Sequence, residues 1–149
     1  MTMSTNVDLL YYQPDILDYG IEDYTTEHDR AREDVLRRLR TEWYQQARPI
    51  NRHTGLLDNE MDVTRLNESQ FTRCAVYRVL AEYILPQHTK WNASGDEDKF
   101  QIMMKHYAKK YDEEFELVMR DGIEYDWDGD STYEDHEIKP THYSTRLFR

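Results

Sequence analysis

The chain has 149 residues, and its 30 acidic and 19 basic side chains give a formal charge of −11. Leu, Ile, Val and Phe are few for this length, but twelve Tyr, three Trp and six Met can bury large areas, so we expect a folded domain with a thin core. The composition argues against a membrane span, a secretory signal, an internal disulfide (Cys74 is alone) and nucleic-acid binding, which needs phosphate neutralisation.

Charge is distributed unevenly along the sequence. Residues 1–26 hold five acids and no base, and residues 96–137 hold fifteen acids and five bases. Residues 138–149, in contrast, hold three bases and no acid. Such asymmetry is typical of an interaction segment, and a solvated surface with a frayed terminus is the alternative.

The first predicted elements are a short helix near residues 15–19, ended by Gly20, and a long helix that begins after Thr26. Thr26 and Asp29 have capping-box spacing, and Pro49 ends the long helix. An apolar residue recurs at every fourth position of this helix. The pattern predicts a narrow buried stripe of Ala31, Val35, Leu39, Trp43 and Ala47.

The second long helix is predicted to be the most buried element, because it is apolar on most sides. It follows a polar, turn-rich loop at residues 48–66, begins at Asn67 with Gln70 three residues later, and ends near Leu85, before Pro86. We expect Cys74 to be a small buried apolar side chain rather than a reactive thiol. The predicted core residues are Phe71, Val76, Leu80 and Ile84.

The third long helix is predicted to open at Ser94, with Glu97 at capping-box spacing, and to end at Gly122. The fold expected is all-α, a small antiparallel helical bundle of three long helices plus a short N-terminal one. An acidic N-terminal segment with the short helix occupies residues 1–24, and the bundle domain occupies residues 25–125. An acidic turn at residues 126–137 and an extended C-terminal tail at residues 138–149 follow.

Catalytic motifs are missing from the sequence. It has no Gly-rich phosphate loop, no G-x-S-x-G and no H-E-x-x-H, and its six histidines include no pair at metal-ligand spacing on one helix face. His28 and His106 are expected on helix surfaces. We therefore predict no enzyme, no catalytic residue and no cofactor.

One acidic stretch has the spacing of a calcium loop. Asp126, Asp128 and Asp130 stand at positions 1, 3 and 5 and Glu137 at position 12 of an EF-hand pattern. Ser131 replaces the usual Gly at position 6, and Pro140 leaves no room for an exit helix. We favour an acidic turn with no metal assigned. The alternatives are a small calcium-responsive acidic binding protein and a small acidic regulator that masks a basic surface.

The order of these features resembles the head-to-tail adaptor (connector) proteins of tailed bacteriophages. The resemblance covers most of residues 60–149. It rests on Met61-Asp62-Val63-Thr64-Arg65-Leu66 before the central helix, on Tyr125-Asp126-Trp127-Asp128-Gly129-Asp130 after the third helix, and on Arg146-Leu147-Phe148-Arg149 at the end. Ser131 departs from the Gly expected after this turn.

The resemblance implies a structural virion protein without enzymatic activity. It implies a homo-oligomeric ring of about twelve copies below the portal, which extends the DNA channel and joins the capsid to the neck or tail. The implied partners are the portal protein and a neck or tail protein, with DNA passing without specific binding and with no membrane contact. Assembly would occur in the host cytoplasm and the final location would be the virion neck. The implied portal-binding residues are Tyr143, Arg146, Leu147, Phe148 and Arg149.

Overall fold

A computed structural model describes residues 3–19, 23–47, 60–88 and 99–138. Its regular elements are all helical, and within these ranges the chain forms no strand. An isolated antiparallel bridge joins Leu66 to Tyr125. The predicted all-α fold class is therefore confirmed.

The N-terminal segment contains a helix that the sequence analysis missed. Helix α1 spans Asn6–Tyr12, and the short helix predicted near residues 15–19 is a 3-10 turn at Ile16–Tyr19. The predicted end at Gly20 lies outside the described residues. The Asp8 carboxylate caps α1 by accepting hydrogen bonds from the backbone N–H of Thr5 at 2.9 Å and from its hydroxyl at 2.8 Å. This Thr-x-x-Asp spacing was the available clue in the sequence.

Helix α2 occupies residues 25–47 without interruption. It has an α-helical part at Thr25–Arg38, a π-helical part at Leu39–Tyr44 and a last α-helical turn at Gln45–Ala47. The predicted Thr26 cap is wrong, because Thr26 already lies in the first turn. The N-cap position is Tyr24, which has no side-chain cap bond. Asp23, one residue earlier, accepts from the N–H of Thr25 at 3.0 Å and from its hydroxyl at 2.6 Å. All five residues of the predicted apolar stripe are buried.

Helix α3 occupies residues 68–88. It comprises a 3-10 turn at Glu68–Phe71, an α-helical part at Thr72–Arg78, a π-helical part at Val79–Ile84 and a last turn at Leu85–His88. Asn67 caps it as predicted, accepting from the N–H of Ser69 at 3.2 Å.

The predicted end of α3 before Pro86 is wrong, since the helix continues to His88. Proline has no N–H to donate to the carbonyl one turn earlier. The turn before Pro86 is π-helical, and the N–H of Leu85 donates to the carbonyl of Leu80, five residues earlier. The side-chain amide of Gln87 also donates to the Tyr83 carbonyl at 2.7 Å.

Helix α4 spans Lys99–Asp121, and its predicted start at Ser94 lies outside the described residues. Gly122 follows it at φ +104° and donates its N–H to the Val118 carbonyl at 3.1 Å, as expected of a glycine just past a helix. A single helical turn, α5, spans Asp135–Ile138. It begins inside the predicted acidic turn and ends at Ile138, so the predicted extended tail is wrong at its first residue.

The core lies between α3 and its neighbours. Helices α3 and α4 run antiparallel, because Phe71 lies 6.2 Å from Phe115 at one end and His88 lies 5.8 Å from Phe100 at the other, between ring centroids. The four predicted core residues are fully buried: Phe71, Val76, Leu80 and Ile84. Cys74 is also fully buried, and burial raises the pKa of its thiol to about 12, so it stays protonated.

Two glycines with positive φ give a matched pair of substitutions. A Cβ at Gly122 would lie 2.7 Å from the Ile138 carbonyl oxygen, whereas a Cβ at Gly129 would first meet the mobile guanidinium end of Arg65 at 3.3 Å. Both positions strain any L residue, by about 1–2 kcal/mol. We expect Gly122→Ala to lower the free energy of unfolding more than Gly129→Ala does, as measured by urea denaturation. Equal losses would contradict the close backbone approach at Gly122.

Candidate functional site

The two internal segments that carry the sequence resemblance lie against each other. Next to the Leu66–Tyr125 bridge, the N–H of Asn67 donates to the Glu124 carbonyl and the N–H of Asp126 donates to the Arg65 carbonyl, both at 3.0 Å. The Asn67 side-chain amide also donates to the Glu124 carboxylate. This pairing joins the start of α3 to the chain that follows α4.

The side chain of Gln70 strengthens the same junction. Its amide nitrogen donates to the Gly122 carbonyl at 3.2 Å, and its amide oxygen accepts from the N–H of Glu124 at 2.8 Å. The sequence analysis assigned Gln70 only to a helix cap. Its actual contacts are more than fifty residues away, which no local pattern reveals.

Four aromatic rings pack together beside the junction: Trp43, Tyr44, Tyr125 and Trp127. Tyr125 and Trp127 have centroids 4.6 Å apart, and Tyr44 stacks on Trp127 with an angle of 11° between the ring planes. The Tyr44 hydroxyl donates to the Glu60 carbonyl at 2.9 Å. Aromatic packing of this kind holds the start of the acidic turn against α2.

The Asp126 side chain organises the acidic turn. Its carboxylate accepts from the backbone N–H of Gly129 at 2.6 Å, of Asp130 at 3.2 Å and of Ser131 at 2.9 Å. Ser131 has φ +70°, the left-handed conformation that the glycine at position 6 of a calcium loop supplies. Serine at this position therefore does not prevent the sharp turn.

Three of the four acids with calcium-loop spacing come together. Asp126, Asp128 and Asp130 each offer a carboxylate oxygen within 4.8 Å of the other two. Burial raises the pKa of Asp126, but the N–H groups of Ser131 and Gly129 outweigh burial and lower it. Such a group of carboxylates is chemically suited to a hard cation.

Of the three aspartates of the turn, Asp128 is the one whose pKa is raised. The N–H of Asp130 lowers the pKa of Asp128, yet burial and the carboxylates of Asp130 and Glu137 together raise it above the usual range. The carboxylates of Asp130 and Glu137 therefore repel the carboxylate of Asp128.

Glu137, the fourth acid, does not join the other three. It is 3% exposed, and its Oε1 accepts from the N–H of Trp127 at 2.8 Å and of Asp128 at 3.3 Å. Its Oε2 accepts from the N–H of Glu134 at 3.1 Å. Glu137 thus closes the turn on its own backbone, as a helix cap does.

A buried polar cluster at the N-terminus was not predicted. His28 was expected on a helix surface, but it is 1% exposed. Its Nδ1 lies 2.7 Å from the Ser4 hydroxyl and its Nε2 lies 3.2 Å from the Asn6 side-chain oxygen. Because the Asn6 oxygen also accepts from the N–H of Tyr24, we assign the ring proton to Nε2 and the Ser4 hydroxyl as donor to Nδ1. Ser4 is equally buried, so the cluster ties the N-terminal segment to α2.

This cluster predicts a pH dependence of stability. Burial lowers the pKa of His28, and the carboxylates of Asp8, Glu27, Asp23 and Asp29 offset this only in part. Unfolded chains thus bind the proton more readily, so stability is full above the ordinary histidine pKa of about 6.5 and falls as the pH drops towards the lowered value.

We expect His28→Gln to reduce this pH dependence between about pH 7 and pH 5, and the exposed His106→Gln to leave it unchanged. Urea denaturation midpoints at a series of pH values measure both. A wild-type slope in His28→Gln would show that other groups control the dependence.

The predicted portal-binding residues, Tyr143, Arg146, Leu147, Phe148 and Arg149, lie outside the described residues, as does most of the predicted loop at residues 48–66. No described helix has the length and apolar character needed to cross a membrane. The class that the fold defines is an all-α bundle with a paired acidic turn. No family model, curated protein or solved structure matches the chain.

Proposed function

We propose that this chain is a structural assembly protein, a head-to-tail adaptor that forms a ring below a phage portal and joins the capsid to the neck or tail. The observation that supports the proposal is the pairing of residues 65–67 with residues 124–126. These residues lie where the two internal segments that carry the resemblance meet. Their contact makes them one unit, so the resemblance concerns a piece of structure and not scattered motifs.

Exposed apolar side chains also favour an assembly protein. Val7 and Tyr11 lie one turn apart on α1 and are 77% and 82% exposed. Residues four apart share a helix face, so together they present an apolar strip to solvent. A subunit that packs against its neighbours would bury such a strip in the contact.

Net charge fits the same proposal. The formal charge of −11 repels phosphate, so a channel built from this chain would let DNA pass without holding it. A ring of identical subunits needs a head-to-tail contact between two different surfaces of each copy. Residues 96–137 and residues 138–149 carry net charges of opposite sign.

The test is to add the purified chain to portal-bearing capsids that lack an adaptor and to examine the portal vertex by electron microscopy. We expect a ring of density below the portal, and none when the same capsids receive an unrelated protein of similar acidity. Failure to bind the portal at micromolar concentration would reject the adaptor function.

A calcium-responsive binding protein is the second candidate. It is favoured by the turn itself, in which Asp126 accepts from three successive N–H groups and Ser131 takes the left-handed conformation. In this candidate, Asp126, Asp128 and Asp130 would bind the cation.

Asp128→Asn discriminates the two interpretations of the turn. The asparagine oxygen can still accept from the N–H of Asp130, at 3.1 Å in the wild type, while one negative charge is removed. In calcium-free buffer the variant should melt at a higher temperature than the wild type under either interpretation, because carboxylate repulsion is relieved. If the turn holds no cation, millimolar calcium should give no heat of binding to the wild type in calorimetry. Wild-type binding heat that Asp128→Asn loses would establish the calcium candidate.

A further inference from the structure

The solvent-facing side of α4 has an unusual distribution of charge. Residues 99–111 hold four lysines and no acid, whereas residues 112–121 hold five acids and one arginine. Exposed helix faces more often intersperse the two signs, because pairs four residues apart then stabilise the helix. The two halves of this helix surface are therefore opposite in sign.

The side chains that form this face are well exposed. Ile102 is 56% and Leu117 49% exposed, and the side chains of Lys109 and Glu113 are 78% and 47% exposed. At about 100° per residue, the members of the face lie within an arc of about 120°. We call it the α4 face: Ile102, Lys105, His106, Lys109, Glu113, Glu116, Leu117 and Arg120.

We infer that the α4 face is a contact surface for a second copy of this chain, packed antiparallel on the first. A parallel arrangement would place lysines against lysines and acids against acids. An antiparallel arrangement centred near Tyr111 places Lys109 opposite Glu113 of the second copy, and its two-fold symmetry repeats the pair. Charge complementarity therefore selects both the partner and the orientation.

The apolar ends of the face fit the same register. With the centre near Tyr111, Leu117 lies opposite Lys105 of the second copy and Ile102 lies opposite Arg120. Lysine and arginine have long apolar stems that cover hydrophobic side chains while their charged ends stay in water. The arrangement thus covers the two exposed apolar residues of α4.

Ion pairs within one copy join the two signs where the halves of the helix meet. Lys109 lies 3.8 Å from Glu113 and Lys110 lies 3.4 Å from the same carboxylate. Such exposed pairs along one helix stabilise it little.

This contact is independent of the proposed adaptor function. It is isologous, which means that it closes at two copies and cannot by itself continue around a ring. The test needs no portal, so its failure and the failure of the adaptor function are separate results.

The experiment uses the full chain and two charge-reversal variants. Lys105→Glu with Lys109→Glu leaves Arg120 as the one lysine or arginine of the α4 face, and Glu113→Lys with Glu116→Lys removes both acids from that face. Sedimentation equilibrium measures self-association of each protein and of their equimolar mixture. Circular dichroism checks that both variants remain helical.

We expect the wild type to dimerise and its dissociation constant to rise at least about tenfold between about 0.1 M and 1 M salt, because the Debye length shrinks from about 10 Å to 3 Å. Each variant alone should be monomeric, and the mixture should form a heterodimer. A wild type that stays monomeric up to about 1 mM would overturn the inference. So would a wild-type dimer whose two variants also dimerise alone, since the contact would then lie elsewhere.

Discussion

Replacing Leu80 by alanine is expected to lower the free energy of unfolding by about 2–5 kcal/mol, the usual range for truncation of a buried leucine. Leu80 is fully buried in the middle of α3, where it belongs to the apolar cluster that also contains Leu9, Val76 and Ile84. The substitution removes apolar contacts and leaves a cavity among side chains drawn from several helices. Urea denaturation followed by circular dichroism measures the loss.

Leu117→Ala is the matched control for this prediction. Leu117 also lies in a long helix, but it is 49% exposed, so its truncation should change stability by no more than about 0.5 kcal/mol at concentrations where the chain is monomeric. If Leu80→Ala costs as little as this control, the arrangement of α3 at the centre of the bundle is wrong.

Helical periodicity allowed most of the bundle to be predicted. The apolar stripe of α2 and the rows of α3 lie in the core because a helix can be stable only when it buries its apolar face. Asn67 and Gly122 were predictable for a local reason, since each satisfies backbone groups at a helix end. Apolar periodicity and helix-end residues can both be recognised within a few residues of sequence.

The π-helical turns at Leu39–Tyr44 and Val79–Ile84 could not be predicted in that way. No residue type requires them. They change which side chains face the core, and the adjacent residues Trp43 and Tyr44 are both buried in the first of them. Packing between helices selects such a turn, so its cause lies outside the local sequence.

The candidate site shows the same limit of local patterns. The calcium-loop alternative, which the sequence analysis did not favour, would bring four acids around one point. The structure unites Asp126, Asp128 and Asp130 but directs Glu137 to backbone N–H groups. Spacing along the chain does not reveal which donors compete for a carboxylate. His28 was misplaced for a related reason, because its partner Ser4 is 24 residues away.

Deletion of residues 141–149 is expected to abolish attachment to portal-bearing capsids while the bundle stays folded. The deleted segment has Arg146 and Arg149 on either side of Leu147 and Phe148 and contains no acid. Arginine suits carboxylate pairing, and the apolar pair would gain burial in a groove of the partner.

The bundle should tolerate this deletion because the cut lies beyond its last described contacts. Ile138 packs close to Gly122 and donates its N–H to the Glu134 carbonyl at 3.0 Å, and both contacts remain. We therefore expect the circular dichroism spectrum and the melting temperature of the truncated chain to match those of the full chain.

Two full-length variants identify which residues of the segment anchor the chain to the portal. Leu147→Ser with Phe148→Ser should reduce capsid occupancy almost as much as the deletion, because the buried apolar area is lost. Ser144→Ala with Thr145→Ala, a neighbouring double substitution that keeps the arginines and the apolar pair, should leave occupancy at the wild-type level. Occupancy is measured by sedimenting the capsids and quantifying the bound chain. Wild-type occupancy of the truncated chain would show that the anchor lies in the body of the protein and not in its basic end.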